Sequence, residues 1–129
     1  CDAFHLSQPE PGGGGLRRAV GEAMSRADVQ AGDVRVINAH GTGTPDNDRM
    51  EGRVFAELLP GVPFHSTKCY TGHTLGAAGG VEAALALGFL NARRIPGNAG
   101  FETLDPEIGT APVVGETPVR GTVTLSTSG

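Results

Sequence analysis

Ser66-Thr67-Lys68-Cys69-Tyr70-Thr71-Gly72-His73-Thr74-Leu75-Gly76-Ala77-Ala78-Gly79-Gly80 is the stretch that decides how this chain is read. It holds the only lysine in 129 residues, and arginine supplies every other cationic side chain. A short strand-like run, Val62 to Ser66, leads into it. A helix that is apolar nearly all round leads out, carrying Leu75, Ala77, Ala78, Val81, Leu85, Leu87, Phe89 and Leu90. Such a helix is expected to be buried on several sides. Gly76, Gly79 and Gly80 lower its propensity, which points to close approach of a neighbouring backbone. Glu82 sits on this helix, and a buried carboxylate requires a partner.

Upstream lies a second polar stretch, Asn38-Ala39-His40-Gly41-Thr42-Gly43-Thr44-Pro45, at the end of a predicted strand over Val34 to Ile37. The apolar run continues to Ala39, so the strand is read as central. Thr44-Pro45 opens the next helix as cap and first residue, with Met50, Val54, Phe55, Leu58 and Leu59 facing inward and Pro60-Gly61 ending it. Earlier, Leu16, Val20, Ala23, Met24 and Ala27 recur at helical spacing. Gly12 to Gly15 reads as a flexible linker. After the apolar helix, Arg93 and Arg94 suit its C-terminal end. Ile95 to Pro112 reads as a long loop, and Val113-Val114 and Thr122 to Leu125 as the last strands. Helix, strand, helix, strand, helix, strand, strand is the order of an α/β layered domain. The two polar stretches fall at strand ends, the edge where ligands collect in open α/β sheets.

Bulk properties exclude several classes. A net charge of -4 with no basic stripe argues against a nucleic-acid partner. No apolar run is read as a membrane span, and no signal peptide is expected. Cys1 and Cys69 lack metal or redox spacing, so a reduced, cytoplasmic setting is expected.

His40 and His73 carry the chemistry that the residues permit. Each lies where a strand or loop meets a helix. Two neutral imidazoles that aim an N–H at one oxygen stabilise an enolate or oxyanion without proton transfer. The bland alternative is two satisfied loop histidines. Lys68 would place a fixed positive charge near a reacting acyl group, balanced by Glu82, or would simply form a structural ion pair. Thr42, Thr44 and Thr71 offer hydroxyls to an amide-rich ligand, although turn threonines more often cap. His65, Cys69 and His73 are spaced by four, yet Gly72 and the strand-like Val62 to Ser66 argue against a helix there, and no carboxylate completes a site, so no metal is expected. Cys69 as a nucleophile has only His65 and His73 near it in sequence, and an inert thiol is the simpler reading.

The stretch Asn38 to Asp48 with Glu51, and Ser66-Thr67-Lys68 through Thr71-Gly72-His73 to Gly79 with Glu82, resemble the C-terminal half of a β-ketoacyl-acyl carrier protein synthase. The likeness extends to Asp2-Ala3-Phe4-His5-Leu6, Ile95-Pro96, Asp105-Pro106-Glu107 and Leu125-Ser126, and so covers essentially the whole chain. The resemblance implies one half of a thiolase-like layered fold over residues 1–129, a mixed sheet with helices packed on it, incomplete at both ends.

It further implies decarboxylative Claisen condensation of a malonyl-carrier protein with an acyl-enzyme thioester. His40 and His73 would then polarise the malonyl thioester, Lys68 would support the site in partnership with Glu82, and Thr42 and Thr44 would contact the phosphopantetheine arm. No cofactor is implied beyond that arm. The implied partners are acyl carrier protein, the N-terminal ketosynthase half, and a second subunit in a homodimer or heterodimer. Neither Cys1 nor Cys69 matches the family's nucleophile, which belongs to the N-terminal half. The chain is therefore expected to be a fragment that does not condense acyl chains alone. The alternative reading is a non-catalytic partner subunit of the chain-length-factor type.

Overall fold

A computed structural model describes residues 9–128. Three parallel strands form its centre: β1 (Val36–Asn38), flanked by β2 (Phe64–His65) on one side and β5 (Thr124–Ser126) on the other. The register pairs Ile37 with Phe64 and with Leu125. Strand alternation sends Ile37 to one face and Val36 and Asn38 to the other. On the first face Val34, Ile37, Ala39, Phe55 and Leu59 form a core closed by Leu16 and Met24. Leu16 and Met24 come from α1 (Gly14–Arg26) and Phe55 from α2 (Pro45–Leu58), helices whose apolar residues repeat at helical spacing. On the second face Val36 and Ile95 pack with Val119, Phe89 and Leu90, beneath α4 (Ala78–Ala92). Helices on both faces of a parallel sheet are the expected consequence of buried strands. Antiparallel pairing enters through a separate ladder, β3 (Arg94–Ile95) with β4 (Thr117–Pro118).

Several expectations need correction. Gly12 to Gly15 is not a flexible linker: Gly14 and Gly15 begin α1, and Gly13 caps it at φ +71. A Cβ on Gly13 would lie 2.6 Å from Val54 Cγ2, so glycine is what lets α1 dock on α2. Docking thus fixes a segment whose composition alone reads as mobile. Arg94–Ile95, placed in sequence at a helix end and a loop, is a strand. The strand expected at Val113-Val114 lies instead at Thr117–Pro118, although Val113 N–H still bonds Phe64 O at 3.0 Å. A single helical turn, α3 (Lys68–Thr71), occupies part of the stretch where no helix was expected.

The apolar helix is also less enclosed than expected. Ala78, Glu82 and Ala86 are buried on its sheet-facing side, and Leu87 is 62% exposed. Leu75–Ala92 is, moreover, long and apolar enough to cross a membrane, which corrects the reading that no such run exists. Here that segment packs on β5 and β3 and buries a carboxylate. The sequence likeness at Asp2 to Leu6 lies outside the described residues.

Candidate functional site

The C-terminal ends of the three parallel strands converge. β1 delivers His40, β2 delivers Ser66 to Lys68, and β5 delivers Thr127. The loop after α3 adds His73 just before α4. His40 and His73 stand edge to face, with ring centroids 5.3 Å apart and an interplanar angle of 86°. The two polar stretches that sequence separates by more than twenty residues thus meet at one point.

Hydrogen bonding sets the tautomers. Leu75 N–H donates to His73 Nδ1 at 3.0 Å, and Leu75 adopts a left-handed φ of +51 to do so. Such a conformation is costly for a side chain with a Cβ. Lys68 Nζ lies 3.1 Å from His40 Nδ1, and an ammonium can only donate. An imidazole that accepts at Nδ1 carries its proton at Nε2. Both rings therefore present an Nε2–H donor. His40 is half-buried and its pKa is lowered from 6.5, chiefly by burial and then by the Lys68 and His73 charges, so it stays neutral in ordinary solution.

Lys68 is buried and forms an ion pair with Glu82, itself 2% exposed. Burial of this kind needs a paired charge. The chain around the site is held by polar side chains that carry no apparent chemistry. Asn38 Oδ1 accepts from Thr67 N–H at 3.3 Å. Asn98, from the loop after β3, accepts from Ser66 N–H at 2.9 Å. Gly41 stands at φ +50 with its would-be Cβ 2.5 Å from Ser66 Cβ, so only glycine lets the two polar stretches touch.

Glu51 is 4% exposed on α2 and accepts four hydrogen bonds. His40 N–H and Thr127 Oγ1 donate to Oε1, both at 2.9 Å. Gly41 N–H donates to Oε2 at 2.7 Å and Asn47 Nδ2 at 2.9 Å. Burial still pushes the Glu51 pKa up, against the pull of those donors.

The remaining candidates are placed less centrally. Thr42 and Thr44 bond each other, Oγ1 to Oγ1, at 2.8 Å, so Thr44 caps α2 through its backbone position and not its hydroxyl. Thr42 borders a cavity of about 470 Å³ that Phe55, Phe64, Phe101 and Lys68 also line. The Thr71 hydroxyl is turned onto the backbone, donating to Gly72 O at 3.0 Å and Thr67 O at 3.3 Å. Cys69 Sγ donates to Ser66 O at 3.0 Å. His65, Cys69 and His73 do not assemble: His65 packs on Phe89 across the sheet, with ring centroids 5.4 Å apart. Among the described residues no group of three His, Cys, Asp or Glu could hold a metal ion. Sequence reasoning missed Asn98 and Thr127 as site-building residues. Nothing in their local pattern marks them, because each reaches the site from a distant element.

Comparison with known proteins bears on the family and the fold. Residues 1–102 match the family described as beta-ketoacyl synthase, C-terminal domain. The chain is 38% identical over 111 residues to a 3-oxoacyl-[acyl-carrier-protein] synthase 2 of Synechocystis, covering 83% of this chain and 27% of that protein. It is 39% identical over 110 residues to the Staphylococcus aureus protein of the same description, covering 82% and 27%. A structure of a ketosynthase in complex with its chain length factor from Xenorhabdus doucetiae superposes with a TM-score of 0.86 at 35% identity, over 97% of this chain and 32% of that one. A β-ketoacyl synthase from Burkholderia phymatum gives a TM-score of 0.79 at 29% identity, over 94% and 29%. The chain thus spans about a third or less of the proteins it matches. Its fold is one half of the thiolase-like layered fold, and the chain belongs to the β-ketoacyl synthase C-terminal domain family.

Proposed function

We propose that residues 1–129 are the histidine-bearing C-terminal half of a β-ketoacyl-acyl carrier protein synthase, whose nucleophilic cysteine is supplied by an N-terminal half. The observation that carries this reading is the 5.3 Å approach of His40 and His73. Two Nε2–H groups aimed at one thioester oxygen would stabilise the charge that develops as malonyl loses carbon dioxide. The C–C bond to the carboxylate breaks, and its electron pair moves into an enolate held by the two donors. The enolate carbon then attacks the acyl thioester on the cysteine, forming the new C–C bond and releasing the thiolate. Lys68 holds His40 in the donor tautomer, and Glu82 balances its charge. Thr42, at the cavity edge, would contact the amide-rich phosphopantetheine arm, with Thr44 hydrogen-bonded to it. Thr71, with its hydroxyl on the backbone, contributes less. Acyl carrier protein is the expected substrate carrier, and no further cofactor is required. Cys69 is a free thiol, which suits a reducing cytoplasmic compartment.

The test is carbon dioxide release from malonyl-carrier protein by the full-length protein and its His73→Ala variant. Loss of at least about a hundredfold is expected on removing one oxyanion donor. Because burial lowers the His40 pKa, neutral His40 persists into mild acid, so the acid limb of the rate should fall below pH 6.5. Unchanged product formation by His73→Ala would instead favour a non-catalytic partner of the chain-length-factor type.

A further inference from the structure

Thr127 closes β5 at the one point where the sheet, α2 and the His40 turn touch. Its Oγ1 accepts His40 N–H at 3.0 Å and donates to Glu51 Oε1 at 2.9 Å. His40 N–H also reaches Glu51 Oε1 directly, at 2.9 Å. Three groups from three elements thus form a closed triangle, and Thr127 is 8% exposed within it. Its own N–H bonds Asn38 O at 2.9 Å, two residues before His40. Thr127 is therefore fixed to β1 by its backbone and to Glu51 by its side chain.

We propose that Thr127 is a positioning residue for His40, holding the ring against His73 and Lys68 through the shared Glu51 carboxylate. This inference rests on the two-histidine reading of the site. Thr127 meets His40 at its backbone N–H. It acts by fixing the backbone from which the His40 ring projects, so that Nδ1 stays near Lys68 and the ring stays against His73. Without the hydroxyl, His40 N–H loses one acceptor and keeps Glu51 Oε1, and Glu51 loses one of four donors. A buried carboxylate short of a donor takes up a proton more readily, and once protonated it accepts less well from the His40 and Gly41 N–H groups. The titratable groups around this triangle are Asp48 on the same helix as Glu51, His40 and His73, and the Lys68–Glu82 pair beyond His40.

The experiment compares full-length wild type, Thr127→Val and Thr127→Ser, with malonyl-carrier protein as substrate and carbon dioxide release as readout from pH 5 to pH 9. Valine keeps the shape and removes the hydroxyl, whereas serine keeps the hydroxyl. The valine variant should lose about tenfold in kcat with KM within about twofold, the loss of one hydrogen bond to a charged group. In this variant protonation of Glu51 should join that of His40 in setting the acid limb, which moves to higher pH because the ionised form of Glu51 has lost a donor. Serine should restore both. A folded valine variant with wild-type kcat and acid limb would overturn the inference, as would a serine variant impaired to the same degree. If valine does not fold, Thr127→Ala takes its place, and equal behaviour of alanine and serine variants overturns the inference. Wild-type protein that releases no carbon dioxide overturns the reading of the site and this inference with it. An active wild type with an unimpaired valine variant overturns this inference alone.

Discussion

Replacing His65 with leucine should make the protein less sensitive to acid. His65 is 1% exposed on the α4 side of β2, its ring against Phe89 and its Nδ1 without a hydrogen-bond partner. Burial lowers its pKa from 6.5 to about 4. The unfolded chain therefore binds a proton near pH 6.5 that the folded chain refuses until about pH 4. Stability from this residue is fully present above pH 6.5 and is lost as pH falls toward 4. At about 1.4 kcal/mol per pKa unit, the full loss is roughly 3.5 kcal/mol, of which about 2.5 kcal/mol has gone by pH 4.5. Glu51 works in the opposite direction: its raised pKa means that the folded state gains a proton first, which favours folding as pH falls. The difference between two proteins cancels that contribution. Urea unfolding of full-length wild type and His65→Leu at pH 7.5 and pH 4.5 measures it. The leucine variant should lose about 2 to 3 kcal/mol less than wild type across that interval. Equal losses in the two proteins would refute the claim that His65 is held neutral by burial.

Gly41→Ala should destabilise the protein by at least about 2 kcal/mol, combining a positive φ with a Cβ forced into Ser66. It should also lower malonyl decarboxylation, since the displaced Ser66 leads directly to Lys68. A variant with wild-type urea midpoint and rate would show that the turn relaxes freely. Glu82→Gln should cost about 3 kcal/mol, because it leaves Lys68 buried without its counter-charge. The double variant Glu82→Gln, Lys68→Met should recover much of that loss in a double-mutant cycle, and strict additivity would argue that the pair is not coupled.

Much of the layered architecture was legible because its signals are local. Apolar spacing at Leu16, Val20 and Met24 and at Met50, Val54 and Phe55 needs only the helical period, and Val36 with Ile37 needs only a short buried run. Boundaries were less legible where glycine or proline stood for docking and not for looseness. Gly12 to Gly15 is the clearest case, since nothing within that segment reveals that Val54 lies against Gly13. The two-residue ladder of Arg94–Ile95 with Thr117–Pro118 is likewise set by a partner more than twenty residues away and not by its own pattern.

By itself the sequence determined which residues have the chemistry: two histidines beside glycines, one lysine in the whole chain, and a carboxylate on an apolar helix. It also determined the helix and strand periods that bring His40 and Lys68 to strand ends. Only the tertiary structure decided how those groups are aimed. The choice of Nε2 as donor on both rings follows from Leu75 N–H and Lys68 Nζ at the two Nδ1 atoms. The anchoring of His40 by Glu51 and Thr127 follows from α2 and β5 meeting at the end of β1. Hydrogen bonds depend on direction and on distances of a few tenths of an ångström, and those are fixed by packing among elements far apart in the chain.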